Sequence, residues 1–256
     1  MPETASTFVW YQLMTTDPEA AETFYRAVVG WEAQPWEGGN APYTLLSVAG
    51  RPVADIAPLA DEVKAQGGHP GWSGFIGVPD VDAAAEQATA AGGSVRKGPE
   101  DIPGVGRYAV VGDPQGAFFI LFRPNGPAMP EVPATAPGHI GWHELFATDW
   151  QAAFDFYAGL FGWTKDLAVD LGGMGTYQTF AANGRSIGGM MNRPPNMPVS
   201  AWGYYFTVPG IDAAAARVAE GGGRVLMGPH QVPGGSWIAQ CVDPQGAFFS
   251  LTAQHR

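Results

Sequence analysis

The segment HIGWHE, residues 139–144, brings together three side chains that bind metals or transfer protons: His139, His143 and Glu144. Imidazole and carboxylate groups hold divalent ions, and both serve as general acids and bases. In an extended strand successive side chains alternate between faces, so His139 and His143 share one face and Glu144 lies on the other. All three meet one ion only if a bulge interrupts the strand. The segment therefore favours a lone carboxylate, with a metal site at these three residues as the alternative.

The strand that carries Glu144 belongs to a pattern that the chain contains twice. The stretch DPQGAFF occurs letter for letter at two places 130 positions apart, starting at Asp113 and at Asp243. Asp, Pro and Gly at the first, second and fourth positions are typical of a type I turn, which here joins two strands. Two further pairs of similar blocks are TTDPEAAETFYRAVVGW and ATDWQAAFDFYAGLFGW, and VPDVDAAAEQATAAGG and VPGIDAAAARVAEGGG.

The paired blocks predict two tandem domains of the same kind. The first domain covers residues 1–124 and the second covers residues 139–256. Residues 125–138 between them are rich in proline and lack periodicity, so we interpret them as a semi-rigid linker. Each domain contains two similar halves, each with a strand, a helix and further strands.

The first helix of each domain has clear end signals. Asp17 and Asp149 are N-cap residues, Pro18 suits the first helical position, and Gly30 and Gly162 suit the C-terminal end. Apolar residues between these signals recur at the spacing of one helix face. These residues are Ala21, Phe24, Tyr25, Val28 and Val29, and in the second domain Ala153, Phe156, Tyr157, Leu160 and Phe161.

The composition excludes several classes of protein. A net charge of −11 disfavours nucleic acid and anionic membranes as partners. The single cysteine, Cys241, excludes a fold held by intramolecular disulfides. The N-terminus lacks the features of a signal peptide, and no apolar run is long enough to cross a membrane. We therefore expect a cytoplasmic protein.

The order of these motifs resembles the vicinal oxygen chelate superfamily, which includes glyoxalases, bleomycin-resistance proteins and extradiol dioxygenases. The resemblance rests on a strand followed by D-x-x-x-A-x-x-F-Y-x-x-x-x-G-W, then V-x-D-x-D-A-A in the first repeat, then D-P-x-G before a last apolar strand. It implies an α+β fold with four βαβββ modules, which form curled mixed sheets around concave pockets. The paired blocks are most similar to a two-copy actinobacterial branch described as hydroxylase-like or glyoxalase-like.

The resemblance also implies where a metal would bind. Many members hold a divalent ion with His, Gln or Glu at three strand positions in each domain. Here those positions are occupied by Trp10, Ser73 and Ile120 in the first domain, and by Trp142, Gly203 and Ser250 in the second. None of the six is a typical ligand, so we expect no metal and no other cofactor at the usual site.

The same strand positions predict which side chains line the two pockets. Glu144 is the one acidic side chain among them, and its counterpart in the first domain is the neutral Gln12, so the pockets are not equivalent. Trp10 and Trp142 either stack on a planar ligand or fill the place of the metal. The predicted ligand-binding residues are Trp10, Gln12, Met14, Ser73, Phe75, Phe118, Ile120, Trp142, Phe146, Tyr205, Phe248 and Ser250.

Three functions are compatible with such aromatic pockets. The first is metal-independent binding of a small hydrophobic or aromatic molecule. The second is a metal-free isomerase, cyclase or hydroxylase-like enzyme with Glu144 as its acid or base. The alternative is a metal-dependent lyase, isomerase or dioxygenase with a shifted metal site. Glu144 itself has three candidate roles, namely catalysis, hydrogen bonding to the ligand and structural pairing. Because duplication supplies an internal pairing of domains, the chain is expected to be a monomer or a homodimer.

Overall fold

The computed structural model describes residues 5–36, 43–65, 67–127, 130 and 132–256. The helices in these ranges are α1 (Pro18–Val29), α2 (Asp61–Ala65), α3 (Val81–Ala90), α4 (Trp150–Phe161) and α5 (Ile211–Glu220). The strands of the first repeat are β1 (Phe8–Thr15), β2 (Glu32–Trp36), β3 (Tyr43–Val48), β4 (Arg51–Pro58), β5 (Gly71–Gly77), β6 (Ser94–Ile102), β7 (Gly106–Gly112) and β8 (Phe118–Pro124). Those of the second are β9 (Ile140–Ala147), β10 (Thr164–Asp170), β11 (Thr176–Ala182), β12 (Arg185–Asn192), β13 (Ala201–Thr207), β14 (Arg224–Gln231), β15 (Trp237–Val242) and β16 (Phe248–Ala253).

Each repeat forms one mixed sheet of eight strands. The strand order is β2-β3-β4-β1-β5-β8-β7-β6 in the first sheet and β10-β11-β12-β9-β13-β16-β15-β14 in the second. Hairpin neighbours such as β7 and β8 are antiparallel, whereas β1 with β4 and β5 with β8 are parallel. The predicted α+β class and the tandem duplication are therefore confirmed. Within the described residues, no helix is long and apolar enough to cross a membrane.

The packing of the chain divides it into two compact units, and each unit combines segments from both repeats. The first unit comprises residues 1–10, 74–129 and 142–203. The second comprises residues 11–73, 130–141 and 204–256. Helices α3 and α4 pack together in the first unit, and α1 and α5 pack together in the second. The compact units therefore do not coincide with the two sequence repeats.

Helices α1 and α4 have the ends that the sequence predicts. The Asp17 side chain accepts a hydrogen bond from the Ala20 backbone N–H, and Gly30 ends the helix with a φ of 88°. Asp149 caps α4, and Gly162 ends it with a φ of 70°. On α1 the buried residues are the five of the predicted apolar face, namely Ala21, Phe24, Tyr25, Val28 and Val29. The predicted face of α4 is buried except for Leu160, which is half-buried, and it gains Phe154.

The two DPQG stretches form hairpin turns that are held by their aspartates. In the first turn the Gly116 N–H donates to the Asp113 carbonyl at 3.1 Å. The Asp113 Oδ1 atom also accepts from the backbone N–H groups of Gln115 and Ala117, at 2.8 and 2.9 Å. Asp243 makes the same two bonds in the second turn. The aspartate at the first position of each turn therefore has a structural role.

The second carboxylate oxygen of each turn explains why the helix motif and the turn motif are repeated together. In the first unit the Tyr157 hydroxyl, from α4, donates to Asp113 Oδ2 at 3.1 Å. The Trp202 indole N–H donates in turn to the Tyr157 hydroxyl at 3.0 Å. The second unit repeats this Trp–Tyr–Asp chain with Trp72, Tyr25 and Asp243. Each chain of bonds joins a helix of one repeat to a turn of the other.

Candidate functional site

Strand β9 separates its two candidate chemical groups, as alternation predicts. Glu144 is only 6% exposed, and its backbone pairs in register with Gly189 on β12. The ring of Tyr177 occupies the space that a side chain at position 189 would need. The Trp142 indole N–H donates to the Tyr177 hydroxyl at 2.7 Å. Because Trp142 and Glu144 share a strand face, the carboxyl group lies on an aromatic face of this unit.

His143 lies on the opposite face of β9 and is part of the core. Its ring stacks on Phe8, with ring centroids 4.0 Å apart, and Phe8 also packs against Trp202. The Nδ1–H group donates to the Ile187 carbonyl oxygen at 2.5 Å. Burial lowers the pKa of His143 to about 4, and the nearby Arg185 adds to this effect. His143 is therefore a neutral structural residue at neutral pH.

The buried His143 gives a testable pH dependence of stability. The folded pKa is about 4 and the unfolded value is about 6.5, so between these values the unfolded chain binds the extra proton. Stability from this residue is complete above pH 6.5 and falls as the pH drops to 4, by on the order of 3 kcal/mol. Urea unfolding at a series of pH values measures it. In His143→Phe, which keeps the ring on Phe8, this part of the pH dependence should be absent. An unchanged profile would contradict the assignment.

We call the sheet face opposite α1 and α4 the inner face. In the first repeat this face is filled by apolar side chains. Phe75, Ile120 and Phe122 form a buried cluster there, with the rings of Phe75 and Phe122 in edge contact at 5.5 Å. The half-buried residues packed against this cluster are Trp10, Val105, Tyr108 and Val110. The Tyr108 hydroxyl points away and donates to Glu100 at 2.5 Å. The packing of Trp10 favours the interpretation that it fills space.

The corresponding inner face in the second repeat is polar. Tyr205 on β13 pairs in register with Ser250 on β16, and Ser250 pairs with Gln240 on β15. The Ser250 side chain is fully buried, and its hydroxyl has no hydrogen-bond partner. The register-matched residues of the first repeat are Phe75, Ile120 and Val110. Three apolar side chains in one repeat are thus replaced by three hydrogen-bonding side chains in the other.

The other predicted residues occupy varied surroundings. The Gln12 side-chain amide donates to Asp55 at 2.8 Å, so this position is paired within its own unit. Phe118 is 49% exposed and lies under the Arg96 guanidinium, 5.6 Å away, outside the cluster around Ile120. Phe146 is buried, and the half-buried residues of the prediction are Met14, Ser73 and Phe248. Their roles in ligand binding stay predictions.

Comparison with known proteins identifies the family. The model of the Glyoxalase/Bleomycin resistance protein/Dioxygenase superfamily matches residues 7–121 and again residues 137–251. The chain belongs to this superfamily. The solved structure of the Mn(II)-bound glyoxalase from Novosphingobium aromaticivorans superposes with a TM-score of 0.68 at 16% identity. That superposition covers 99% of this chain and 83% of the other, and it shows a shared fold.

Two superfamily members are similar over almost their whole length. A Mycobacterium tuberculosis (strain CDC 1551 / Oshkosh) protein named "Putative glyoxylase CFP32" is 34% identical over 248 residues, 94% of this chain and 92% of its own. The "Anthracycline biosynthesis protein DauV" of Streptomyces sp. (strain C5) is 32% identical over 263 residues, 94% of this chain and 91% of its own. Both relatives therefore span the two repeats.

The residues at the superfamily's usual metal positions do not fit a divalent ion. Trp10 packs against the apolar cluster that contains Ile120, and neither side chain carries a donor atom for a metal. The Trp142 indole nitrogen is a hydrogen-bond donor to Tyr177. Of the six positions, only Ser73 and Ser250 carry a side-chain oxygen, and a neutral hydroxyl is a weak ligand. Within the described ranges, no group of three or more His, Cys, Asp or Glu side chains is placed to hold an ion.

Tyr177, which accepts a bond from Trp142, and Gln240, which pairs with Ser250, are absent from the predicted set. Gln240 could have been predicted from the sequence. The DPQG turn joins β15 to β16, so residues equally far before and after the turn face each other, and this rule pairs Gln240 with Ser250. The contact between Tyr177 and Gly189 had one indication in the sequence. A glycine inside a strand often marks the close approach of another group.

Proposed function

We propose that this superfamily member binds a small hydrophobic or aromatic molecule on the inner face of the second repeat, at Ser250, without a metal ion at the usual positions. The observation that carries the proposal is the buried Ser250 hydroxyl without a partner. Buried polar groups in folded proteins almost always have a hydrogen-bond partner, so an exception favours a group that a ligand completes. The matching position in the first repeat, Ile120, is packed in an apolar cluster and offers no such group.

The nature of the ligand is supported by the charge of the chain and by one relative. A net charge of −11 favours neutral or cationic molecules over anions. The Streptomyces relative is named as an anthracycline biosynthesis protein. A planar aromatic ligand would also suit a face that carries Tyr205.

The test combines metal content with ligand binding. Protein purified without a chelating tag should contain only trace metal by elemental analysis, and planar aromatic compounds should raise its unfolding temperature. Ser250→Ile, which copies the first repeat, should remove that shift, whereas Ile120→Val at the matching position should leave it. About one equivalent of Fe, Mn, Ni or Zn per chain would overturn the metal-free part of the proposal. An undiminished shift in Ser250→Ile would overturn the location.

A second candidate function is proton transfer by Glu144 in an isomerisation, cyclisation or hydroxylation-type reaction. It is favoured by the position of this carboxyl group, which is 6% exposed on the face of β9 that carries Trp142. Carboxyl groups in apolar clefts are common general acids and bases.

Glu144→Gln is expected to abolish turnover while sparing ligand binding, because the amide keeps the shape of the carboxyl group but transfers no proton. Turnover measured beside the thermal shift separates the two effects. Gln12→Asn at the matching position of the first repeat keeps an amide donor for Asp55, and as the control it should leave turnover unchanged. Unaltered turnover in Glu144→Gln would count against this role, as would binding without turnover of any related compound by the wild-type protein.

A further inference from the structure

The polar row on the inner face of the second repeat has a chemistry that defines its ligand more closely. The row runs across four adjacent strands through Tyr205, Ser250, Gln240 and Met227. Adjacent strands lie about 4.8 Å apart, so the side chains of such a row are near neighbours on one face. All four side chains are uncharged.

We propose that Ser250 recognises an uncharged hydroxyl or carbonyl oxygen on an otherwise apolar ligand and thereby determines specificity. This inference rests on the proposed binding function. The Ser250 hydroxyl both donates and accepts, so it completes a bond with either kind of oxygen. It is fully buried without a partner, so folding leaves its hydrogen-bonding capacity unused until a ligand arrives.

The neighbours of Ser250 disfavour a charged ligand group. The side chains of this row offer a ligand hydroxyl, amide and thioether groups, none of which carries a charge opposite to that of a carboxylate or an ammonium group. Removing an ion from water without a counter-charge costs far more than removing a neutral oxygen, which needs only the hydrogen bond. The row is extended along β16 by Thr252, which pairs with Thr207 and Ile238 and is also uncharged.

The matching positions of the first repeat lack this recognition element. Its matching row is Phe75, Ile120 and Val110, which are packed with Trp10 and Phe122. An oxygen placed there would find no hydrogen-bonding side chain among the three residues of the row. The inference therefore assigns one recognition site of this kind per chain, in the second repeat.

Three related probes test the inference with calorimetric titration: naphthalene, 2-naphthol and 2-naphthoate. Wild-type protein should bind 2-naphthol about tenfold more tightly than naphthalene, the gain expected for one buried hydrogen bond. It should bind 2-naphthoate no more tightly than naphthalene. In Ser250→Ala the preference for 2-naphthol should fall below about twofold, with naphthalene affinity unchanged.

The ligand-free stability of Ser250→Ala is a second and independent measurement. Because the hydroxyl has no partner, its removal should leave the unfolding temperature equal to or above that of the wild type. A clear drop would show that the hydroxyl serves the fold, which overturns the inference.

The titration outcomes distinguish a failure of this inference from a failure of the proposed binding function. Equal binding of all three probes, unchanged in Ser250→Ala, overturns the inference and leaves a binding protein without this specificity. Tightest binding of 2-naphthoate overturns it in favour of an anionic ligand. Binding of none of the probes contradicts the proposed function and the inference together.

Discussion

Asp113→Ala is expected to lower the free energy of unfolding by about 3 to 4 kcal/mol, measured by urea denaturation. The substitution removes the acceptor of two backbone N–H bonds in the hairpin turn and of the Tyr157 hydroxyl. Each buried donor left without a partner costs about 1 to 3 kcal/mol. Asp113→Asn should cost much less, because burial raises the pKa of this carboxyl group and the amide avoids the buried charge while keeping an acceptor.

A double-mutant cycle isolates the bond between the two repeats. Asp113→Ala and Tyr157→Phe should be non-additive by about 1 to 2 kcal/mol, since each already breaks the same bond. Asp113→Ala with Tyr25→Phe is the matched control and should be additive, because Tyr25 bonds to Asp243 in the other unit. Full additivity in the first pair would show that the tyrosine–aspartate bond contributes nothing.

Separation of the repeats is expected to have the largest effect. If the chain is cut in the linker after Pro127, neither fragment should unfold cooperatively as a monomer, because each compact unit contains segments of both repeats. Each fragment alone would expose the helix faces that α1 and α5, or α3 and α4, bury against each other. Circular dichroism melts and gel filtration measure both properties.

Mixing the two fragments should restore one cooperative transition. A chain cleaved at a protease site inserted at the same place provides the control, since it starts from the folded state. The repeats are similar, so a fragment that folds alone should do so only as a dimer, with a concentration-dependent melting temperature. A fragment that melts cooperatively as a monomer, independently of concentration, would contradict the interdependence of the repeats.

The sequence was sufficient for features that depend on local periodicity. Alternation along β1 assigned Trp10 and Gln12 to one face, where they are half-buried, and Tyr11 and Leu13, buried at 8% and 0%, lie on the other. The same rule placed His143 and Glu144 on opposite faces of β9. Helix ends followed from the capping aspartates and the glycines at positive φ.

The remaining features depend on contacts between distant segments, which periodicity does not encode. The bond between Tyr157 and Asp113 requires knowing which helix packs beside which hairpin. The sequence repeats predict domains 1–124 and 139–256. The alternation of side chains within a strand does not indicate that each compact unit combines half of one repeat with half of the other. Strand register is similarly hidden where bulges shift it, as they do twice between β14 and β15.

The exchange of halves also constrains how such a duplicated gene can change. A substitution that removes the Asp113 carboxylate takes away the acceptor of Tyr157 in the other repeat, whereas Tyr25 in the same repeat keeps its bond to Asp243. We therefore expect accepted substitutions to be coupled across the duplication at these positions and to be independent within one copy. We expect the two copies to change together at these turns, whereas positions 120 and 250 lie outside the crossed pairs and already differ, as isoleucine and serine.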